Sequence, residues 1–189
     1  HYFDCFEPSI IYVLAPSFDQ IERLTFKEIK ATRTDKGLPG RILELEVNKT
    51  PEHFILGRAT QNSQGTGLER IKGQHSKHMG LIIEEADGVE DFNFEAVEEM
   101  AKGFAVVVLI ANPRSLESKF HNLAYDANVQ NFRLDAIYFP NVIENKDIIP
   151  GGVTRDDVEL ALEKHCTIAD AHNADLNTFE VPWRPGVIY

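Results

Sequence analysis

Apolar residues in this chain fall into short runs separated by polar or helix-patterned stretches, and that order predicts alternating strands and helices. "SIIYVLAP" is rich in β-formers and closes on Pro16, as a strand would. "SFDQIERLTFKEIKATR" then places Phe18, Ile21, Leu24, Phe26 and Ile29 at helical spacing, with Ser17 suited to cap the start. "TDKGLPG" punctuates, "RILELEV" alternates, and "HFILGRAT" is another apolar run, so two further strands are expected. "QNSQGTGLERIKGQ" is polar and glycine-bearing and reads as a long loop.

Downstream, "MGLIIEEA" predicts a buried strand, "NFEAVEEMAKG" a short helix closed by Gly103, and "FAVVVLIANP" the most strand-like run of all. "SKFHNLAYDA" predicts a helix and "NFRLDAIYF" alternates like a strand. "TRDDVELALEKHC" predicts a helix that Thr154 caps, with acids in its first turn. Strands apolar on both faces, alternating with helices, imply an α/β fold with a mostly parallel sheet. A boundary is expected near Asp126 to Asn131, giving segments 1–126 and 127–189, because Pro140, Pro150, Gly151 and Gly152 interrupt the later pattern.

Composition narrows the classes. The 189 residues are 43% hydrophobic and 26% charged, an ordinary globular balance with room for a real core. The longest apolar stretch, Phe104 to Ala111, falls far short of the roughly 20 residues that span a bilayer. Cys5 and Cys166 are too few for a disulfide framework or a four-thiolate zinc site, which suits a reducing cytosol. A net charge of -11 argues against coating nucleic acid by bulk attraction, yet Arg70, Lys72, His75, Lys77 and His78 form a basic stretch just before the acidic one.

The chemistry sits at strand ends. Ligands of parallel sheets bind beyond the carboxyl ends of the strands, and Glu84 and Glu85 end an apolar strand there. An apolar strand closing on two acids is the Walker B pattern of P-loop ATPases: the first acid holds Mg²⁺ through its waters and the second orients and deprotonates the attacking water. The plainer reading is a solvated strand end whose acids keep the edge soluble. Asn112, at the end of the next strand, is suited to touch a γ-phosphate or its water; equally, Asn-Pro is a common strand stop.

These residues carry a resemblance. "APSFDQ", "FILGRATQNSQGTGLERIKGQHSKHMGLIIEEADGV", "VVLIANPRSLESKFHNL" and "IYFPNVIENKDIIPGGVT" together resemble the large terminase subunit of tailed bacteriophages, the ATP-driven motor that packages viral DNA. The likeness runs from about Ser9 to Thr154. It implies a three-layer, P-loop-NTPase-like fold of the RecA type, incomplete at its N-terminus. It implies Glu84 as the Mg²⁺ acid, Glu85 as the catalytic glutamate, Asn112 as the coupling residue and Gln20 beside nucleotide or DNA. Arg58 and Arg70 become candidates for an arginine that reaches a phosphate. ATP and Mg²⁺ would be the ligands. Double-stranded DNA, the small terminase subunit, the portal protein and a ring of identical subunits would be the partners, without a membrane and in the host cytoplasm.

Two features depart from that family. Glu84 stands where its members usually carry Asp, and no G-x-x-x-x-G-K-[ST] phosphate loop occurs; in "GTGLERIKG" Lys72 precedes Gly73 and no Ser or Thr follows. In the family that loop lies just upstream of the "SIIYVLAP" strand and the nuclease acids lie downstream. The chain therefore reads as the middle and late part of an ATPase domain with a connection toward a nuclease domain, inactive on its own. A helicase-type ATPase is the alternative enzyme, although it calls for a Ser-Ala-Thr-like motif where "ANP" stands. A docking module whose acidic "DFNFEAVEEM" binds a basic partner is the non-enzymatic alternative.

Other signals fit structure better. His75 and His78, and the group His165, Cys166, Asp170 and His172, lack a paired-ligand zinc spacing and read as solvated polar ends. Trp183 in "VPWRPG" reads as an anchor for the tail. No G-x-S-x-G nucleophile elbow occurs.

Overall fold

A computed structural model describes residues 1–60, 71, 74–88, 94, 105–112, 117–169 and 178–189. They form two compact units, His1–Gln130 and Asn131–Tyr189.

The first unit is an α/β structure built on a mixed six-stranded sheet. Its strands are β1 (Ser9–Ala15), β2 (Arg41–Ile42), β3 (Glu46–Thr50), β4 (His53–Ala59), β5 (His78–Glu84) and β6 (Ala105–Ile110), in the order β2-β3-β4-β1-β5-β6. β4, β1, β5 and β6 run parallel, while at the other edge β3 runs antiparallel to both β4 and β2. The sheet is thus parallel over four strands and mixed overall. "RILELEV" becomes two strands instead of one, because Leu43 N–H bonds to Glu46 O and turns the chain between them.

β1 lies at the centre and every one of its residues is buried, which is why it reads as apolar on both faces. Ile10, Tyr12 and Leu14 face a core with Leu81, Ile83, Ile71 and Phe94; Ile11, Val13 and Ala15 face another with Ile21, Phe26 and Val47. Ser17 caps the helical run after β1 through a full capping box with Gln20. That run is α-helical over Phe18–Gln20, π-helical over Ile21–Phe26 and α-helical again over Lys27–Asp35. The wider π turn brings residues five apart, Ile21 and Phe26, onto the same face of the sheet.

β6 departs from the expectation of a strand covered on both faces. Val107 and Leu109 pack inward with Phe120 and Leu123, but Val106, Val108 and Ile110 are 47%, 41% and 52% exposed. It is the terminal strand of the sheet among the described residues, with one edge unpaired and the face of Val106, Val108 and Ile110 left exposed.

The amino ends of the strands are closed by the first residues of the chain. The Phe3 ring stacks on His53 at 4.2 Å, with the Arg33 guanidinium 5.0 Å and the Lys49 ammonium 5.2 Å from its centre. Buried Arg33 donates two 3.0 Å hydrogen bonds to Asp4 and a third to Pro39 O. His53 Nδ1 accepts the Ser9 N–H at 2.9 Å, which leaves Nε2 directed at Glu7, 3.3 Å away.

The second unit gathers Val142, Val158, Leu162 and Val181 into a small core around the helices Pro140–Glu144 and Arg155–His165. Thr154 caps the longer helix in a capping box with Asp157, as the sequence predicts. Trp183 donates its indole N–H to Glu159 at 3.0 Å and lies under Arg155. "NFRLDAIYF" forms no strand: it ends in the 3₁₀ turn Ala136–Tyr138, and Leu134 is 98% exposed. Its alternation has no ladder to join there, and unpaired strand geometry has nothing to hold it.

Candidate functional site at the carboxyl ends of the strands

Connection direction picks the site. After β1 the chain crosses the face of Ile11 and Val13 and leads toward β4; after β5 it buries Phe94 on the opposite face and leads toward β6. Right-handed crossovers heading opposite ways must lie on opposite faces, and they part between β1 and β5. That parting is a topological switch point, where open parallel sheets bind ligands beyond their carboxyl ends.

Ala15, Pro16 and Ser17 leave β1 at this point, and Glu84 and Glu85 leave β5. In register, Ala59 of β4 pairs with Ala15, and Glu84 pairs with Ile110 of β6. Buried Thr60 donates its N–H to Ala15 O at 2.9 Å, so the ends of β4 and β1 are tied together. Alternation puts Glu84 on the same face as Ile82, beside the exposed Ile110.

Glu84 is half-buried and Glu85 exposed. Glu85 has φ of 49°, a left-handed conformation that an L-residue with a Cβ adopts at a cost. Its carbonyl accepts the Gly88 N–H at 2.9 Å, the next residue Ala86 is fully buried, and Asp87 accepts a hydrogen bond from Ser118. Strain of this kind persists where the surroundings over-determine the backbone, and such places cluster at functional sites.

Asn112 is exposed two residues beyond β6. Because β5 and β6 are parallel, Glu84, Glu85 and Asn112 all lie at one end of the sheet. Gln20 stands one turn past the end of β1, but its side-chain oxygen accepts from Ser17 N–H at 3.1 Å and from the Ser17 hydroxyl at 2.9 Å. That oxygen is committed to the helix cap. Arg58 pairs in register with Leu14 and shares a face with Tyr12, the face opposite Glu84. Burial pushes the Tyr12 hydroxyl pKa up, and the nearby Arg58 charge partly offsets it. Arg70, Asp170, His172 and all of "NFEAVEEMAKG" except Phe94 lie outside the described residues.

Two carboxylates at an open strand end suit a hard cation that takes one or two protein oxygens and keeps its waters, as Mg²⁺ does. No group of three or more His, Cys, Asp or Glu able to cage a metal occurs among the described residues. Two carboxylates are a donor set of the kind Mg²⁺ takes, and the described residues hold no closed metal centre. Among the same residues no helix is long and apolar enough to cross a membrane.

Ser118 and Asp87 belong to this end of the sheet and are not singled out by the sequence. Ser118 leaves a local trace, a capping residue ahead of "KFHNL"; its pairing with Asp87 leaves none. No family model matches this chain, and no significant match was found among curated proteins or solved structures.

Proposed function

We propose that this chain is part of the ATPase motor of a phage terminase large subunit, coupling ATP hydrolysis to the packaging of double-stranded DNA. The observation that supports it is the gathering of Glu84, Glu85 and Asn112 at one carboxyl edge, with Glu84 and Glu85 at the switch point. In this reading the fold is P-loop-NTPase-like, although the 189 residues contain no G-x-x-x-x-G-K-[ST] loop. The partners are the small terminase subunit, the portal protein and further copies in a ring, in the host cytoplasm.

Glu84 would hold Mg²⁺, which when bound neutralises phosphate charge. Exposed Glu85 orients a water and takes its proton as the water oxygen attacks the γ-phosphorus and the bond to ADP breaks. Asn112, on the neighbouring loop, senses the γ-phosphate.

The test is Mg²⁺-dependent ATP hydrolysis by the polypeptide that carries both this chain and a phosphate loop, compared with its Glu85→Gln variant. Hydrolysis that collapses at least a hundredfold while ATP still binds supports the motor, that being the ordinary scale of a lost general base. An unchanged rate removes Glu85 from the chemistry. The absence of G-x-x-x-x-G-K-[ST] favours one further reading, a docking module, which hydrolysis in neither protein would support.

A further inference from the structure

A side-chain hydrogen bond links the turn that carries the acids to the chain that follows β6 and Asn112. Asp87, in the 3₁₀ turn Ala86–Gly88, accepts the hydroxyl proton of Ser118 on Oδ1. The same hydroxyl oxygen accepts the His121 N–H at 3.1 Å and so caps the helix Lys119–Leu123. With its proton given to Asp87 and a lone pair given to the helix, the hydroxyl has a set direction. Each end of the link is seated in the same core, through fully buried Ala86 on one side and Phe120 and Leu123 on the other.

Glu85 supplies the reason such a link matters. Its left-handed backbone is held by the Gly88–Glu85 hydrogen bond, the burial of Ala86 and the Asp87–Ser118 contact. Removing one restraint lets the residue fall back toward an ordinary conformation and swings its carboxylate. We infer that Ser118, through Asp87, is a positioning residue that holds Glu84 and Glu85 in place. This rests on the ATPase reading and adds to it a residue that fixes the turn carrying the acids.

The test uses ¹⁵N-labelled 189-residue chain, with Mn²⁺ as the probe. Exchange of the Gly88 amide is measured, along with the Mn²⁺ concentration that half-broadens the Glu85 and Ala86 amides, for Ser118→Ala, Ser118→Thr and Glu84→Gln. Ser118→Ala is expected to speed Gly88 exchange and to raise the half-broadening concentration about tenfold, the low end for loss of an outer-sphere partner. The Leu81 amide inside β5 should be unchanged, and Ser118→Thr, which keeps the hydroxyl, should restore both readings. Unaltered Gly88 exchange overturns the inference. So does faster exchange with no change in the Mn²⁺ response while Glu84→Gln abolishes it, because the link is then structural only. Broadening that survives Glu84→Gln removes Glu84 from cation binding, and the ATPase reading, which gives it the Mg²⁺, falls together with the positioning role.

Discussion

Gly57 of β4 and Ile21 of the π-helical turn meet so closely that a Cβ on the glycine would lie 2.7 Å from Ile21 Cγ2 and 2.9 Å from Phe26 Cε2. Both contacts are side chains locked in a core between helix and sheet, so neither yields freely. Gly57→Ala should therefore destabilise the first unit by about 1–3 kcal/mol, as overpacking does. Urea denaturation followed by circular dichroism measures it, and a variant as stable as the parent would show that the helix can lift off β4.

The left-handed backbone at Glu85 separates strain from chemistry. Glu85→Gly should hold or raise stability by about 1 kcal/mol, since glycine pays nothing for positive φ, and Glu85→Val should lower it by a similar amount. Thermal melts of the two variants side by side decide the point; equal melting temperatures would mean the turn relaxes without the glutamate.

Acid should loosen the amino-terminal closure. Burial is the largest influence on Asp4 and pushes its pKa up, but the hydrogen bonds and charge of Arg33, with Lys49, outweigh it and hold the carboxyl below its ordinary range. A carboxylate depressed in the folded state contributes stability that is complete above its unfolded pKa, near pH 4, and is lost as pH falls through the folded value. Asp4→Asn should flatten the loss of stability below about pH 4. Asp4→Ala should cost roughly 3 kcal/mol at neutral pH by leaving Arg33 buried without its partner. Stability measured from pH 7 down to 2 in parent and variants checks both, and an unchanged acid limb in Asp4→Asn would sink the assignment.

Thr154 both accepts the Asp157 N–H and donates its hydroxyl proton to the Asp157 carboxylate, which draws that carboxyl's pKa down. Thr154→Ala should cost the second unit about 1 kcal/mol, and Thr154→Ser should cost little. Amide exchange at Val158 and Leu162 reports it; protection that is identical in all three proteins would mean the helix stands without its cap.

Much of the scaffold is written locally. Ser17 and Thr154 announce their helices because a cap needs only a side-chain oxygen and an amide three residues on. β1 and β5 announce themselves because runs apolar on both faces are soluble in few other ways, and β6 announces itself by its run of β-formers. The position of Glu84 and Glu85 at a strand end follows from the same run, and their placement on one edge with Asn112 follows once the strands are parallel. What local pattern lacks is a statement of who covers whom. "NFRLDAIYF" alternates as a strand would, yet it has no neighbouring ladder to join, whereas β6 pairs with β5.

The order and type of the central elements, the helix caps and the acid pair at the end of β5 were determined by sequence alone, since each depends on contacts within one turn or one strand. The switch point between β1 and β5, the left-handed turn at Glu85, the packing of Ile21 and Phe26 on Gly57 and the hydrogen bond from Ser118 to Asp87 were decided only by tertiary structure. These join residues distant along the chain, and the energy that selects them is released only when the sheet has brought both partners together.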